Sequence, residues 1–166
     1  MQKRRKYINL AEKRKSMKHK AIRFLLLVIE FIIGLGAIGG GIAMLTGAFD
    51  QWLPLAWLQG TPFTDFTIPG LVLLIVIGGG MLLAAATILI QREWAVILSA
   101  VMGLAMIGFE IVEVTTIDRY PDAIIPSTLA QQGLMAALGL VIFGLASYLW
   151  FSEYRQQHFP TRASHA

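Results

Sequence analysis

The sequence predicts an all-α, polytopic membrane protein, built as a compact bundle of four transmembrane helices with both termini in the cytoplasm. Hydrophobic residues make up 56% of the 166 residues, charged residues 14%, and the mean hydropathy is +0.65. A soluble domain carries about a quarter charged residues. The chain also contains four apolar stretches near the length of about 20 residues that a helix needs to cross the hydrocarbon core. Most of its cations precede the first stretch.

The N-terminal segment 1–20 is predicted to be basic and cytoplasmic. Of the 14 Lys and Arg residues, ten lie between Lys3 and Arg23. Cations beside a first span are retained in the cytoplasm and attract anionic lipid headgroups. We therefore interpret this segment as a topology signal and a lipid contact, and we do not expect nucleic acid as a partner. The residues assigned to this role are Lys3, Arg4, Arg5, Lys6, Lys13, Arg14 and Lys15.

The transmembrane domain is predicted over 21–153, with helices at about 24–46, 71–90, 95–114 and 129–151 and a cytoplasmic tail over 154–166. The first stretch is too long for a signal-peptide core and is followed by no convincing cleavage site, which predicts an uncleaved anchor. Strands are disfavoured because the stretches lack the alternating polar positions of a membrane barrel.

The loops of the bundle follow from the few remaining cations and from the aromatic residues. The loop after the first helix contains no Lys or Arg, which predicts that it lies outside the cell. Trp57, Phe63 and Phe66 in this loop are expected at the outer membrane interface, where aromatic rings concentrate. Asp65 or Thr67 is expected to cap the second helix, and Ser127 the fourth.

Glycines in the first helix show the G-x-G-x-x-G spacing of a dinucleotide-binding turn, at Gly34, Gly36 and Gly39. That motif requires a preceding strand and a turn into a helix, whereas these glycines lie inside a continuous apolar helix. Small residues at helical spacing instead let a second helix approach closely. The pairs assigned to helix packing are Gly36 with Gly40 and Ala37 with Gly41, either within one chain or in a homodimer.

Acidic residues within the spans are the candidate functional residues, because an ionisable group in hydrocarbon costs on the order of 3 kcal/mol. The candidate intramembrane polar site comprises Glu30, Glu110, Glu113, Gln131 and Gln132, with Asp65 and Arg119 at its rim. Glu110 and Glu113 are one helical turn apart. Helices one and three run parallel, so Glu110 is expected about 10 Å or more further out than Glu30. The carboxylates either bind a cation or a proton, or serve only the structure.

The stretch from Pro62 to Gly70 reads P-F-x-D-x-x-I-P-G, and it is followed by a glycine triplet, by "LLAAATILIQR" and by an acidic "FEIVEV". In these features the chain resembles a family of small integral membrane proteins of bacteria with four helices. The resemblance covers about 24–149. It implies a multi-pass protein of the bacterial cytoplasmic membrane, and it implies no activity, ligand or catalytic residue.

Composition favours a non-enzymatic protein. The chain contains no cysteine, and His19, His158 and His165 all lie outside the apolar stretches. No nucleophile is paired with a base, so we assign no catalytic, cofactor-binding or metal-binding residue. The sequence therefore predicts an accessory or envelope-associated membrane protein with lipid and another membrane protein or a second copy as its partners. The alternative is a small transporter or channel-like protein that uses the intramembrane carboxylates.

Overall fold

Four long helices make up most of the protein. A computed structural model describes residues 2–51, 53–90, 94–117 and 126–158, and within these ranges all regular structure is helical. The long helices are α1 (Gln2–Leu45), α2 (Thr67–Leu89), α3 (Ala95–Ile117) and α4 (Pro126–His158), and a short 3₁₀-helix, Leu55–Leu58, lies between α1 and α2. Each long helix contains a stretch long and apolar enough to cross a membrane, namely Lys13–Leu45, Thr67–Leu89, Ala95–Thr115 and Leu129–Glu153. The predicted all-helical class with four candidate spans is confirmed.

The helices extend beyond the apolar stretches from which they were predicted. α1 begins at Gln2, so most of the basic segment continues the first helix, and α4 runs from Pro126 to His158. Lys, Arg, Glu and Gln are good helix formers, so hydropathy marks the membrane-facing part of a helix and not its ends. The prediction that Ser127 precedes the fourth helix as its cap is wrong, because Ser127 is the second residue of α4.

The end of α1 is fixed by a glycine in the left-handed conformation. Gly47 has φ +74°, the N–H of Ala48 donates to the carbonyl of Ala43 at 2.9 Å, and the N–H of Gly47 donates to that of Met44 at 3.4 Å. These two bonds form a Schellman motif, which satisfies the last carbonyls of a helix. The chain then turns back toward α2.

α2 contains a π-helical segment, Val72–Gly79, between α-helical turns over Thr67–Leu71 and Gly80–Leu89. Segments of π-helix are rare and often lie at functional sites. At the start of α2 the N–H of Thr67 donates to Oδ1 of Asp65 at 2.8 Å, in the role expected of Asp65. This bond lowers the pKa of the exposed Asp65 carboxyl below its usual value.

Glycines bring the helices together as two antiparallel pairs, α1 with α2 and α3 with α4. A Cβ atom at Gly41 would lie 2.8 Å from the carbonyl oxygen of Gly70, and one at Gly103 would lie 2.8 Å from that of Gly139. Ala37, which lies one turn before Gly41 on α1, is buried. Gly40 lies against Leu73, whereas a Cβ at Gly36 would meet nothing within 4 Å. Of the predicted packing residues, Gly36 therefore lies off the contact with α2.

The two pairs meet in an apolar core that is concentrated toward one end of the helices. Leu26, Met81, Ile142 and Leu149 are fully buried there. At the same end, Arg23 of α1 binds Glu153 of α4 through two hydrogen bonds of 2.8 and 3.0 Å. We call this the terminal end of the helices, and we call the opposite end, where the 46–66 segment connects α1 to α2, the loop end.

Candidate functional site

Glu30 lies in the core of the protein, on the face of α1 that is turned toward α3. Its side chain is 0% exposed. Among the described residues, neither carboxyl oxygen has a hydrogen-bond partner of normal geometry. Burial of a carboxyl group without partners costs free energy in either protonation state, and far more when the group is ionised. The buried carboxyl group of Glu30 therefore lowers the stability of the fold, and packing alone does not require it.

Ser99 of α3 is the polar residue that faces Glu30. Its hydroxyl donates to the carbonyl oxygen of Ala95, on the preceding turn, at 3.1 Å. Because a hydroxyl has one proton and two lone pairs, Ser99 in this arrangement can accept a hydrogen bond from a protonated Glu30.

Glu110 and Glu113 form a second acidic site, nearer the loop end of α3. Glu110 is 8% exposed, and the charges of the two carboxylates interact. The amide of Gln132, on α4, faces Glu113. Gln132 is 6% exposed, and its Nε2 has no hydrogen-bond partner of normal geometry among the described residues. This cluster is polar, nearly buried and incompletely satisfied.

The two acidic sites are separate, and the predicted site residues divide between them. Glu30 lies level with Ser99 of α3. Ser99 precedes Glu110 by eleven residues, which separates the two levels by roughly 16 Å along α3. Gln131 is exposed on α4 and lies outside the Glu110 cluster. Asp65 is exposed in the loop and bonds to the start of α2. Arg119, expected at the rim, falls outside the described residues.

A cavity of about 350 Å³ opens beside Glu113, between α2, α3, the end of α1 and the loop that follows it. Glu113 is the one charged residue in its otherwise largely apolar lining. Trp57, Phe63, Phe66 and Phe109 contribute aromatic rings, and Val72 and Val76 of the π-helical segment form part of the wall. A volume of this size lies within the range of small-molecule sites, which are about 300–1,000 Å³.

The loop aromatics line the cavity, which the sequence did not predict. Trp57, Phe63 and Phe66 are half-buried there, and their expected place at the membrane interface stays a prediction. The 3₁₀-helix packs Leu58 against the helices, so this part of the loop folds over the open end of α2 and α3. Amphipathic rings suit both an interface and a binding site, which is why the sequence could not distinguish the two.

Three contacts at the terminal end were missed by sequence reasoning. Besides the Arg23–Glu153 pair, His19 Nε2 and Ser152 Oγ lie 3.2 Å apart, and the His19 ring meets Tyr148 edge-on at a centroid distance of 6.5 Å. Arg23 and Glu153 each flank an apolar stretch on the same predicted side of the membrane. Their positions next to these stretches could therefore have predicted the ion pair from the sequence.

The basic residues of the first helix are exposed where the structure describes their side chains, and the described acidic residues form no metal site. Lys13, Arg14 and Lys15 are exposed on the first part of α1, and the side chains of Lys3, Arg4, Arg5 and Lys6 fall outside the described set. Over the described residues, no group of three His, Asp or Glu side chains could hold a metal ion. Comparison with protein-family models, with curated proteins and with solved structures found no match.

Proposed function

We propose that the protein is a non-enzymatic accessory or envelope-associated component of a bacterial cytoplasmic membrane, folded as a four-helix bundle with both termini in the cytoplasm. The supporting observation is the open face of α1. Phe31, Ile32 and Leu35 are exposed there, and Gly36 and Gly39 have no neighbour within 4 Å of a Cβ position. Small residues flanked by large apolar ones are typical of helix–helix contacts in lipid.

The hydroxyl groups of the spans support a role without bond-making chemistry. Thr87 donates to the carbonyl of Ala84 and Thr115 to that of Ile111, each at 2.8 Å, as Ser99 does to Ala95. An activated nucleophile instead donates to a neighbouring base. These hydroxyls are bonded back to their own helices, where they satisfy backbone acceptors.

The proposed topology can be tested by labelling introduced cysteines, because the chain contains none of its own. Thr64→Cys, in the loop, should react with a membrane-impermeant maleimide in intact cells. Ser16→Cys, in the basic part of α1, should react only after the membrane is opened. The reverse pattern would place the termini outside and would remove the lipid-contact role of the basic segment.

The accessory role can be tested by photocrosslinking in native membranes. A photoreactive residue in place of Leu35, on the open face of α1, should give one reproducible protein adduct, either a second copy or another membrane protein. The matched control is the same residue in place of Leu140, which is exposed on α4 and should give lipid adducts. Lipid adducts at both positions would contradict the proposal.

A second candidate function is proton- or cation-linked transport through Glu30. The observation that favours it is the full burial of this carboxyl group, which faces Ser99 but makes no hydrogen bond of normal geometry among the described residues, because an ionisable residue within a span often marks an ion or proton pathway. In proteoliposomes, the wild type should then carry a proton or cation flux that Glu30→Gln abolishes and Glu30→Asp retains. Absence of flux from folded, reconstituted wild type would remove this candidate.

A further inference from the structure

The cavity beside Glu113 combines an apolar wall with one carboxylate. Its aromatic side chains are Trp57, Phe63, Phe66 and Phe109, and the lining contains no Lys or Arg within the described ranges. Aromatic rings attract cations within about 6 Å of the ring centroid, and quaternary ammonium groups are recognised in this way. Glu113, when it is ionised, adds a negative charge to that attraction.

The charges around Glu113 favour a cationic occupant over a neutral one. Glu110 lies one turn away, and the two carboxylates repel each other. In the parts of the chain that the structure describes, the one ion pair is Arg23–Glu153, at the far end of the helices. A cation in the cavity would neutralise Glu113 and relieve its repulsion with Glu110.

Gln132 of α4 lies behind the acidic pair, outside the cavity lining. Its side chain is 6% exposed and its amide faces the Glu113 carboxyl group, although Nε2 makes no hydrogen bond of normal geometry among the described residues. Buried amide donors are normally bonded. The N–H group of Gln132 can donate only to an acceptor, and the Glu113 carboxylate faces it.

From this geometry we infer that the cavity binds a small lipophilic ammonium ion, with the charged nitrogen at Glu113 and the apolar part among the aromatic side chains. The inference goes beyond the accessory role and does not depend on it. It specifies a ligand class rather than a partner protein, so either proposal can fail while the other holds.

Phenyltrimethylammonium is the probe, because its carbon isostere, tert-butylbenzene, has the same shape without the charge. Binding is measured by calorimetry with the full chain in phosphatidylcholine nanodiscs, and the signal from empty nanodiscs is subtracted. The cation should bind saturably, with one site per chain, and about tenfold or more tightly than the isostere. Equal affinity for the two would overturn the inference, as would a lack of saturable binding to the folded protein.

Glu113→Gln should weaken binding of the cation by about tenfold or more, while Asp50→Asn should leave it unchanged. Asp50 is exposed near the same end of the helices and does not line the cavity, so it controls for general attraction by negative charge. Equal loss in both variants, or in neither, would contradict a site at Glu113.

A second variant tests the location without removing a charge. Gly108 lines the cavity, and a Cβ built there meets nothing within 4 Å, so Gly108→Leu can fill the space without a clash. It should abolish binding. Gly144→Leu, on α4, places the same side chain in equally open surroundings away from the cavity and should bind as the wild type does. Wild-type binding by Gly108→Leu would exclude the cavity as the site.

Discussion

The two halves of the helical assembly contain the same kind of charged residue in opposite surroundings. At the terminal end, Glu30 is sealed within a dense core and a paired Arg23–Glu153 bridge lies beyond it. At the loop end, Glu113 borders a cavity of about 350 Å³. A carboxylate that is sealed can exchange only a proton or a small ion, and only when the helices move. A carboxylate that borders a cavity can contact a ligand directly. A ligand therefore reaches Glu113 at the loop end more readily than Glu30 at the terminal end.

The largest expected difference in unfolding free energy is between two glycine-to-alanine substitutions, one in each half of α3. Gly103→Ala places a methyl group 2.8 Å from the backbone oxygen of Gly139, which forces α3 and α4 apart and should cost on the order of 2 kcal/mol of unfolding free energy. Gly108→Ala meets open space and should stabilise the helix by up to about 1 kcal/mol. Unfolding titrations in detergent measure both. Effects of the same sign would remove the contrast between the halves.

A smaller effect of the opposite sign is expected at Glu30. Glu30→Met replaces a buried carboxyl group that lacks a hydrogen bond of normal geometry by an apolar side chain of similar length, and it should raise the unfolding free energy by about 1 kcal/mol. Glu113→Met is the matched control. Its carboxylate borders a cavity, so its replacement should change stability by less than about 1 kcal/mol. Loss of stability in Glu30→Met would show that Glu30 has a stabilising partner and that the terminal end is not sealed as described.

The bridge at the terminal end should contribute less. Its side chains are 23% and 31% exposed, and such pairs contribute about 0.5–1 kcal/mol after screening by solvent. A double-mutant cycle with Arg23→Gln and Glu153→Gln measures the coupling, which should decrease when salt is added. A coupling of zero at low salt would mean that this bridge does not hold α1 to α4.

The smallest effect is expected at Asp65, at the loop end. The Thr67 N–H lowers the pKa of this carboxyl, so its stabilisation of α2 is present above the pKa of the unfolded chain and is lost as the pH falls through the folded pKa. Asp65→Asn caps a helix comparably and does not titrate. The melting temperatures of the two proteins should agree at neutral pH, and the wild type should fall below Asp65→Asn under about pH 4. Parallel pH profiles would show that the bond has no effect on stability.

The sequence predicted the Glu110 and Glu113 pair with Gln132 because all three depend on helical spacing and on matching levels of neighbouring helices. It did not distinguish Gln131 from Gln132, since adjacent residues on a helix point about 100° apart and only the contact with α3 decides which is buried. The same reason places Gly36 off the α1–α2 contact and Ala37 on it.

The fold class was determined by the sequence alone, because apolar stretches long enough to cross a bilayer must satisfy their backbone groups internally, and helices do so without any partner. The cavity, the loop aromatics that line it and the isolation of Glu30 were decided by tertiary structure. Each depends on how two or more helices and the 46–66 segment pack together, and packing between surfaces of similar hydrophobicity is set by shape, which composition and spacing do not encode.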